Sequence, residues 1–152
     1  MADSRSAGAY LYLRYNEKYS AYMDKMKMHK LMYFSQRESL MMYDRCLFDE
    51  DFYGYKYGPV LLSVEKEYAS DSPYGGVNVS LQKDEKVLLD SVLDRYGSLS
   101  SWKLSSLSHA ELSWRNSRKG LKPGQNGRVK FELSAMKVDA AKEKAMRKRV
   151  DA

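Results

Sequence analysis

Leu88, Leu89, Val92, Leu93 and Tyr96 fall at i, i+1, i+4, i+5 and i+8, the spacing that lines five apolar side chains along one stripe of an α-helix. A helix of this kind is marginal in water until a second layer covers the stripe, so the chain must build packed layers. Gly97 is the natural C-terminal stop. The same period recurs upstream. Ala7 to about Ala21 reads as a helix with Tyr12, Tyr15 and Tyr19 at helical spacing. Asp24 is placed as the N-cap of a longer helix to about Tyr43, with Met28, Leu31, Met32 and Phe34 in its apolar set. The methionines are adaptable core filler rather than ligands.

Two stretches alternate with period 2 instead: Tyr53, Tyr55, Tyr57, and then Val129, Phe131, Leu133. The sequence therefore predicts a mainly α, compact, single-domain helical fold with a short β-strand pair around 53–57 and 128–133. Gly58-Pro59 is expected to open a helix, with Pro at the first helical position and Val60, Leu61, Val64 and Tyr68 buried. Ser70 to Val79 reads as a loop and Ser80 as the cap of the next helix. A helical turn is placed around Trp102 to Leu107. Ser108-His109-Ala110-Glu111 has the form of a capping box, flanked by Leu107 and Leu112 as a hydrophobic staple. A helix is thus predicted to start at His109 and to carry Trp114 and Arg118. Lys119 to Gly127 is a second loop. Ser134 is expected to cap a basic final helix over 134–152, whose thin apolar face frays or waits for a partner.

The 152 residues suit one domain, residues 1–152, with enough interior to fold without cross-links. A single Cys excludes an internal disulfide. The longest uncharged run, Ser72 to Gln82, holds Pro73, Gly75 and Gly76, so no membrane span is expected. The early Asp3 and short apolar patch make a poor secretory leader, which points to the cytoplasm. The net charge of +6 is unevenly distributed. Residues 1–100 hold 13 basic and 15 acidic side chains, and residues 101–152 hold 13 and 5. From Leu112 to Phe131 there is no acid, but there are Arg115, Arg118, Lys119, Lys122, Arg128 and Lys130. Such a segment attracts nucleic acid or an acidic protein face.

The motifs of common chemistries are missing. His29 and His109 stand far apart, with Cys46 as the lone thiol, so no zinc spacing exists. Asp49, Asp51 and Gly54 match calcium-loop positions 1, 3 and 6, but Tyr53 and Val60 fill positions 5 and 12. No phosphate-binding glycine loop and no nucleophile elbow is present. Ser108, His109 and Glu111 lie too close in sequence to form a hydrolase triad. Arg45 beside Cys46 is expected to lower the thiol pKa slightly. The residues call for no cofactor, no metal and no catalytic set.

Three segments carry a resemblance. The first is Lys30-Leu31-Met32-Tyr33-Phe34-Ser35-Gln36. The second is Leu47-Phe48-Asp49-Glu50-Asp51-Phe52 with Tyr55-Lys56-Tyr57-Gly58-Pro59-Val60. The third is Leu104, Leu107-Ser108-His109, Glu111 and Trp114. In this order, within residues 26–118, they resemble the signatures of the Panacea domain family of SocA-like antitoxins. Where that family continues the first signature with small residues, this chain has Arg37-Glu38-Ser39.

The resemblance implies a non-enzymatic antitoxin that neutralises a cognate protein toxin, encoded by a neighbouring gene, through direct contact. One family member acts instead as an adaptor handing its toxin to a cytosolic protease. In this reading Lys30, Leu31, Tyr33, Gln36, Tyr57, Gly58, Pro59, Val60, His109, Glu111 and Trp114 form the scaffold. Arg115, Arg118, Lys119, Lys122, Arg128 and Lys130 are expected to meet the partner. Reversing the charges of Arg115, Arg118 and Lys122 is then expected to weaken toxin binding without changing thermal stability. The competing expectation is a nucleic-acid-binding regulator using the basic third, although no groove-reading motif stands out.

Overall fold

The structure, a computed structural model, describes residues 1–151. Among the described residues there are seven helices and one hairpin. They are α1 (Ser4–Tyr19), α2 (Lys25–Tyr43), α3 (Leu62–Tyr68), α4 (Lys83–Tyr96), α5 (Ser101–His109), α6 (Leu112–Ser117) and α7 (Leu133–Asp151), with β1 (Phe52–Tyr55) and β2 (Gly58–Leu61) between α2 and α3. The architecture is mainly α. Among the described residues no helix is long and apolar enough to cross a membrane.

The fold is organised on α2. Asp24 caps it by accepting from the Lys27 N–H at 2.8 Å. Every residue from Lys27 to Leu40 is buried, because α1, α3, α4, α5, α7 and β2 all pack around this helix. The α4 stripe is as the periodicity predicts: Leu88, Leu89, Val92, Leu93 and Tyr96 are all buried. Its N-cap is Gln82, paired with Glu85 in a capping box. Ser80 does not cap it; the Ser80 N–H goes to Ser6 Oγ instead. Gly97 ends α4 in right-handed geometry, where a side chain would come within 2.5 Å of the Leu93 carbonyl.

Three expectations fail around the hairpin. Gly58-Pro59 opens a strand, not a helix. Tyr55 pairs with Gly58 and Gly54 with Pro59. The Leu61 N–H and the Phe52 and Gly54 carbonyls bond to groups outside the hairpin. Because antiparallel pairs alternate between bonded and non-bonded, Pro59 sits where β1 asks for no N–H. The expected partner of β1 is also different. β2 takes one edge, and the 128–133 segment adds only a bridge between Lys130 and Tyr53 and a bond from the Phe131 N–H to the Phe52 carbonyl at 2.8 Å. Phe131 alone of its alternating set is buried, while Val129 and Leu133 are exposed.

The third failure is the Ser108–Glu111 capping box. Ser108 and His109 are the last residues of α5, and Ser108 Oγ donates to the Ser105 carbonyl. Glu111 is the N-cap of α6 but makes no side-chain cap bond. Ser134 likewise lies inside α7, which begins at Leu133. The final helix does not wait for a partner: Ala135, Met136, Asp139 and Ala140 are buried as α7 packs on α2 and α6.

Candidate functional site

The hairpin is held by side chains from α5 and α6. Ser105 Oγ donates to the Tyr57 carbonyl at 3.0 Å, and Trp114 Nε1 to the Tyr55 carbonyl at 2.9 Å. Gly58 has φ 135°, and a Cβ there would lie 2.8 Å from Ser108 Oγ, so the position demands glycine on both counts. Residues far apart in sequence thus meet at one wall. His109 stacks on Trp114 at 4.0 Å and 12°, and Trp102 meets Tyr57 edge-on at 5.7 Å. The groove between them, about 640 Å³, is lined by Lys56, Tyr57, Trp102, His109, Trp114 and Arg118 among others. Trp102 is 68% exposed and Tyr57 41%. Sequence reasoning passed over Trp102 as part of a short helical turn; its isolation on a polar helix face was the available signal.

Burial pushes the His109 imidazole pKa down, with Lys30 adding to the effect and the Lys56 and Tyr57 backbone opposing it. Its Nε2 is buried without a hydrogen-bond partner among the described residues.

The expected partner-binding cations divide into two kinds. Arg118 is turned inward. Its guanidinium donates to the carbonyls of Gly54 (3.0 Å), Lys122 (3.0 Å), Pro123 (3.1 Å) and Gln125, clasping the 119–127 loop to the hairpin. Arg115, Lys119, Lys122, Arg128 and Lys130 are exposed and form no ion pair among the described residues. Charge reversal at Arg118 would therefore unfasten the loop, which corrects the expectation that it leaves stability unchanged.

Between α2, α6 and α7, side chains of the signatures and of α7 build a buried polar network. The Tyr33 hydroxyl lies 3.1 Å from Glu111 Oε2, 3.0 Å from Ser113 Oγ and 3.2 Å from Asp139 Oδ2. Arg37 pairs with Glu111 and donates to the Tyr96 hydroxyl at 2.7 Å. Burial pushes the Glu111 carboxyl up to about 7, with the Asp139 carboxylate adding to the rise and Arg37 opposing it. Arg147 of α7 grips the buried Glu38 carboxylate with two bonds, 2.6 and 3.0 Å. Gln36 bridges the chain to residues beyond α2, donating to the Phe48 carbonyl and accepting from the Leu47 and Phe48 N–H groups.

Leu31, Tyr33 and Val60 are buried, as expected of a scaffold. Cys46 is half-buried, and burial pushes its thiol pKa up rather than down, with the Asp49 carboxylate adding to the rise and Lys137 opposing it; Arg45 is paired with Asp84 at 3.1 Å. Among the described residues, no group of three or more His, Cys, Asp or Glu side chains is placed to hold a metal ion.

A family model described as antitoxin SocA-like, Panacea domain, matches residues 28–115. The chain belongs to this family. No curated protein and no solved structure matches it. The Panacea match runs from the second turn of the central helix, through the hairpin, to Arg115 in α6. It includes Tyr57, Trp102, His109 and Trp114 of the aromatic groove, but not Arg118, Leu121 and Pro123, which also line it. It stops short of Arg118 at the C-terminal end of α6, of the 119–127 loop and of α7, which supplies Asp139 and Arg147.

Proposed function

We propose that this Panacea-domain protein is an antitoxin that neutralises a cognate toxin, encoded by a neighbouring gene, by direct contact in the cytoplasm. The aromatic groove is the centre of that contact, and Arg115, Lys119 and Lys122 form its basic rim. One observation carries the assignment of the surface: Trp102 stands largely exposed on Tyr57, beside a wall built from two family signatures. Tryptophan, tyrosine and arginine supply most interface hot spots. A protein partner is favoured over nucleic acid because two arginines of the basic third, Arg118 and Arg147, are engaged internally.

The test is co-expression with the adjacent open reading frame. The neighbour alone is expected to arrest growth, and wild-type antitoxin to rescue it. The W102A/Y57A double variant is expected to lose rescue and at least tenfold in affinity, while its melting temperature stays close to wild type. A harmless neighbour that forms no complex on size exclusion defeats the reading. Full rescue by the double variant defeats the assignment of the groove.

A further inference from the structure

Apart from Tyr33, the buried span of α2 carries eight polar side chains: Lys27, His29, Lys30, Ser35, Gln36, Arg37, Glu38 and Ser39. Seven of them have partners. Lys27 Nζ donates to the Gly97 carbonyl at 2.8 Å. His29 accepts from the Leu61 N–H through Nδ1, so its Nε2–H faces Glu65 at 3.1 Å. Ser35 and Ser39 donate to the Leu31 and Arg45 carbonyls, and Gln36, Arg37 and Glu38 are bonded as described above. Lys30 is the exception. It is 2% exposed and makes no hydrogen bond or ion pair among the described residues. The desolvation of a lysine held this deep is normally offset by such a partner. Burial draws its pKa down to about 8, with Asp24 opposing.

Lys30 lines a cavity of about 330 Å³ between α2 and the hairpin, together with Met26, Tyr55, Tyr57, Gly58 and Pro59. Its Cε lies 3.7 Å from where a Gly58 Cβ would stand, which puts the end of the lysine stem against the hairpin turn. Of the other charges at the cavity, Glu65 is met by Lys25 at 3.0 Å and by His29, while Lys56 is exposed to solvent and forms no ion pair among the described residues. The cavity therefore has one buried uncompensated cation, Lys30, among largely apolar walls, with the solvated Lys56 beside it.

We propose that this cavity binds a carboxylate carried on an apolar body, with Lys30 as its counter-ion. One buried amine matches one negative charge. A phosphate dianion would bring a second charge that no second buried cation meets, leaving it to the solvated Lys56. The carboxylate comes from a free organic acid or from the C-terminus of a protein chain. The chemistry is the same for both, and the site is independent of the antitoxin reading.

The experiment is an NMR titration of the isotopically labelled full chain, read at the Tyr57, Gly58 and Val60 amides. The probes are phenylacetate, phenylacetamide, N-acetyl-Gly-Phe, its C-terminal amide and inorganic phosphate. Both acids are expected to shift these amides saturably, and each amide analogue to bind at least tenfold more weakly. Tighter binding of N-acetyl-Gly-Phe assigns a chain terminus, and tighter binding of phenylacetate a free acid. K30M, of similar length, is expected to lose at least tenfold in affinity for the acids while melting no lower than wild type. The acid–amide comparison on the wild-type protein stands even if K30M misfolds. The proposal is overturned if neither acid binds, if acid and amide bind alike, if phosphate binds more tightly than either acid, or if a folded K30M binds as well as wild type.

Discussion

At the scale of single residues, the polar core of α2 is where this chain departs from a simple helical bundle. Arg37 and Glu38 interrupt the small-residue continuation expected after the first signature, and both are buried against α7 and its neighbours. Neither position announces its partner in sequence, because Glu111 and Arg147 lie 74 and 109 residues away. Glu111 carries a pH signature. Burial pushes its carboxyl up to about 7 in the folded chain, against about 4.5 for a free glutamate, so the folded state holds the proton more tightly than the unfolded one. Its contribution to stability is greatest below pH 4.5 and falls as the pH climbs to about 7. E111Q cannot ionise and removes that slope. The unfolding free energy of wild type, measured against E111Q in denaturant, is expected to fall by about 3 kcal/mol over this range. A pH-independent difference between the two proteins would refute the assignment.

At the scale of elements, legibility followed the amphipathic pattern. Helix α4 was readable because only one face is buried, and α2 because Asp24 and the apolar spacing agree. The hairpin was misread because Gly-Pro suits a helix start as well as a strand edge, and only the neighbouring Ser108 and His29 distinguish the two. Helix α6 shows the same limit. Its N-cap Glu111 does no capping; Asp139 of α7 does, accepting from the Leu112 N–H at 2.7 Å and the Ser113 N–H at 3.0 Å. A helix of six residues depends heavily on such a cap. D139A is expected to cost about 2–3 kcal/mol, the loss of a cap together with buried donors left unpaired. Hydrogen exchange should then speed up at the Leu112 and Ser113 amides. Unchanged protection there would show that α6 is held by packing alone.

At the scale of the whole molecule, the charge asymmetry is real but only part of it faces outward. Arg118 and Arg147 are internal fasteners, so the available basic surface is smaller than the sequence count suggests. The triple reversal R115E/K119E/K122E spares both. It is expected to leave the melting temperature within about 2 °C of wild type, since exposed unpaired charges contribute little. It should weaken binding of the neighbour-encoded toxin at least tenfold, with the penalty shrinking as salt is added. An unchanged affinity would move the contact surface elsewhere. The sequence by itself determined the helical class, the registers of α2 and α4, the two long loops and the family, because apolar periodicity and local motifs act between near neighbours. Only the tertiary structure decided the direction of the Gly58-Pro59 segment, the inward turn of Arg118, the capping of α6 from α7 and the isolation of Lys30. Each of those depends on which groups from distant segments arrive within bonding distance, and a buried polar side chain records its partner only in three dimensions.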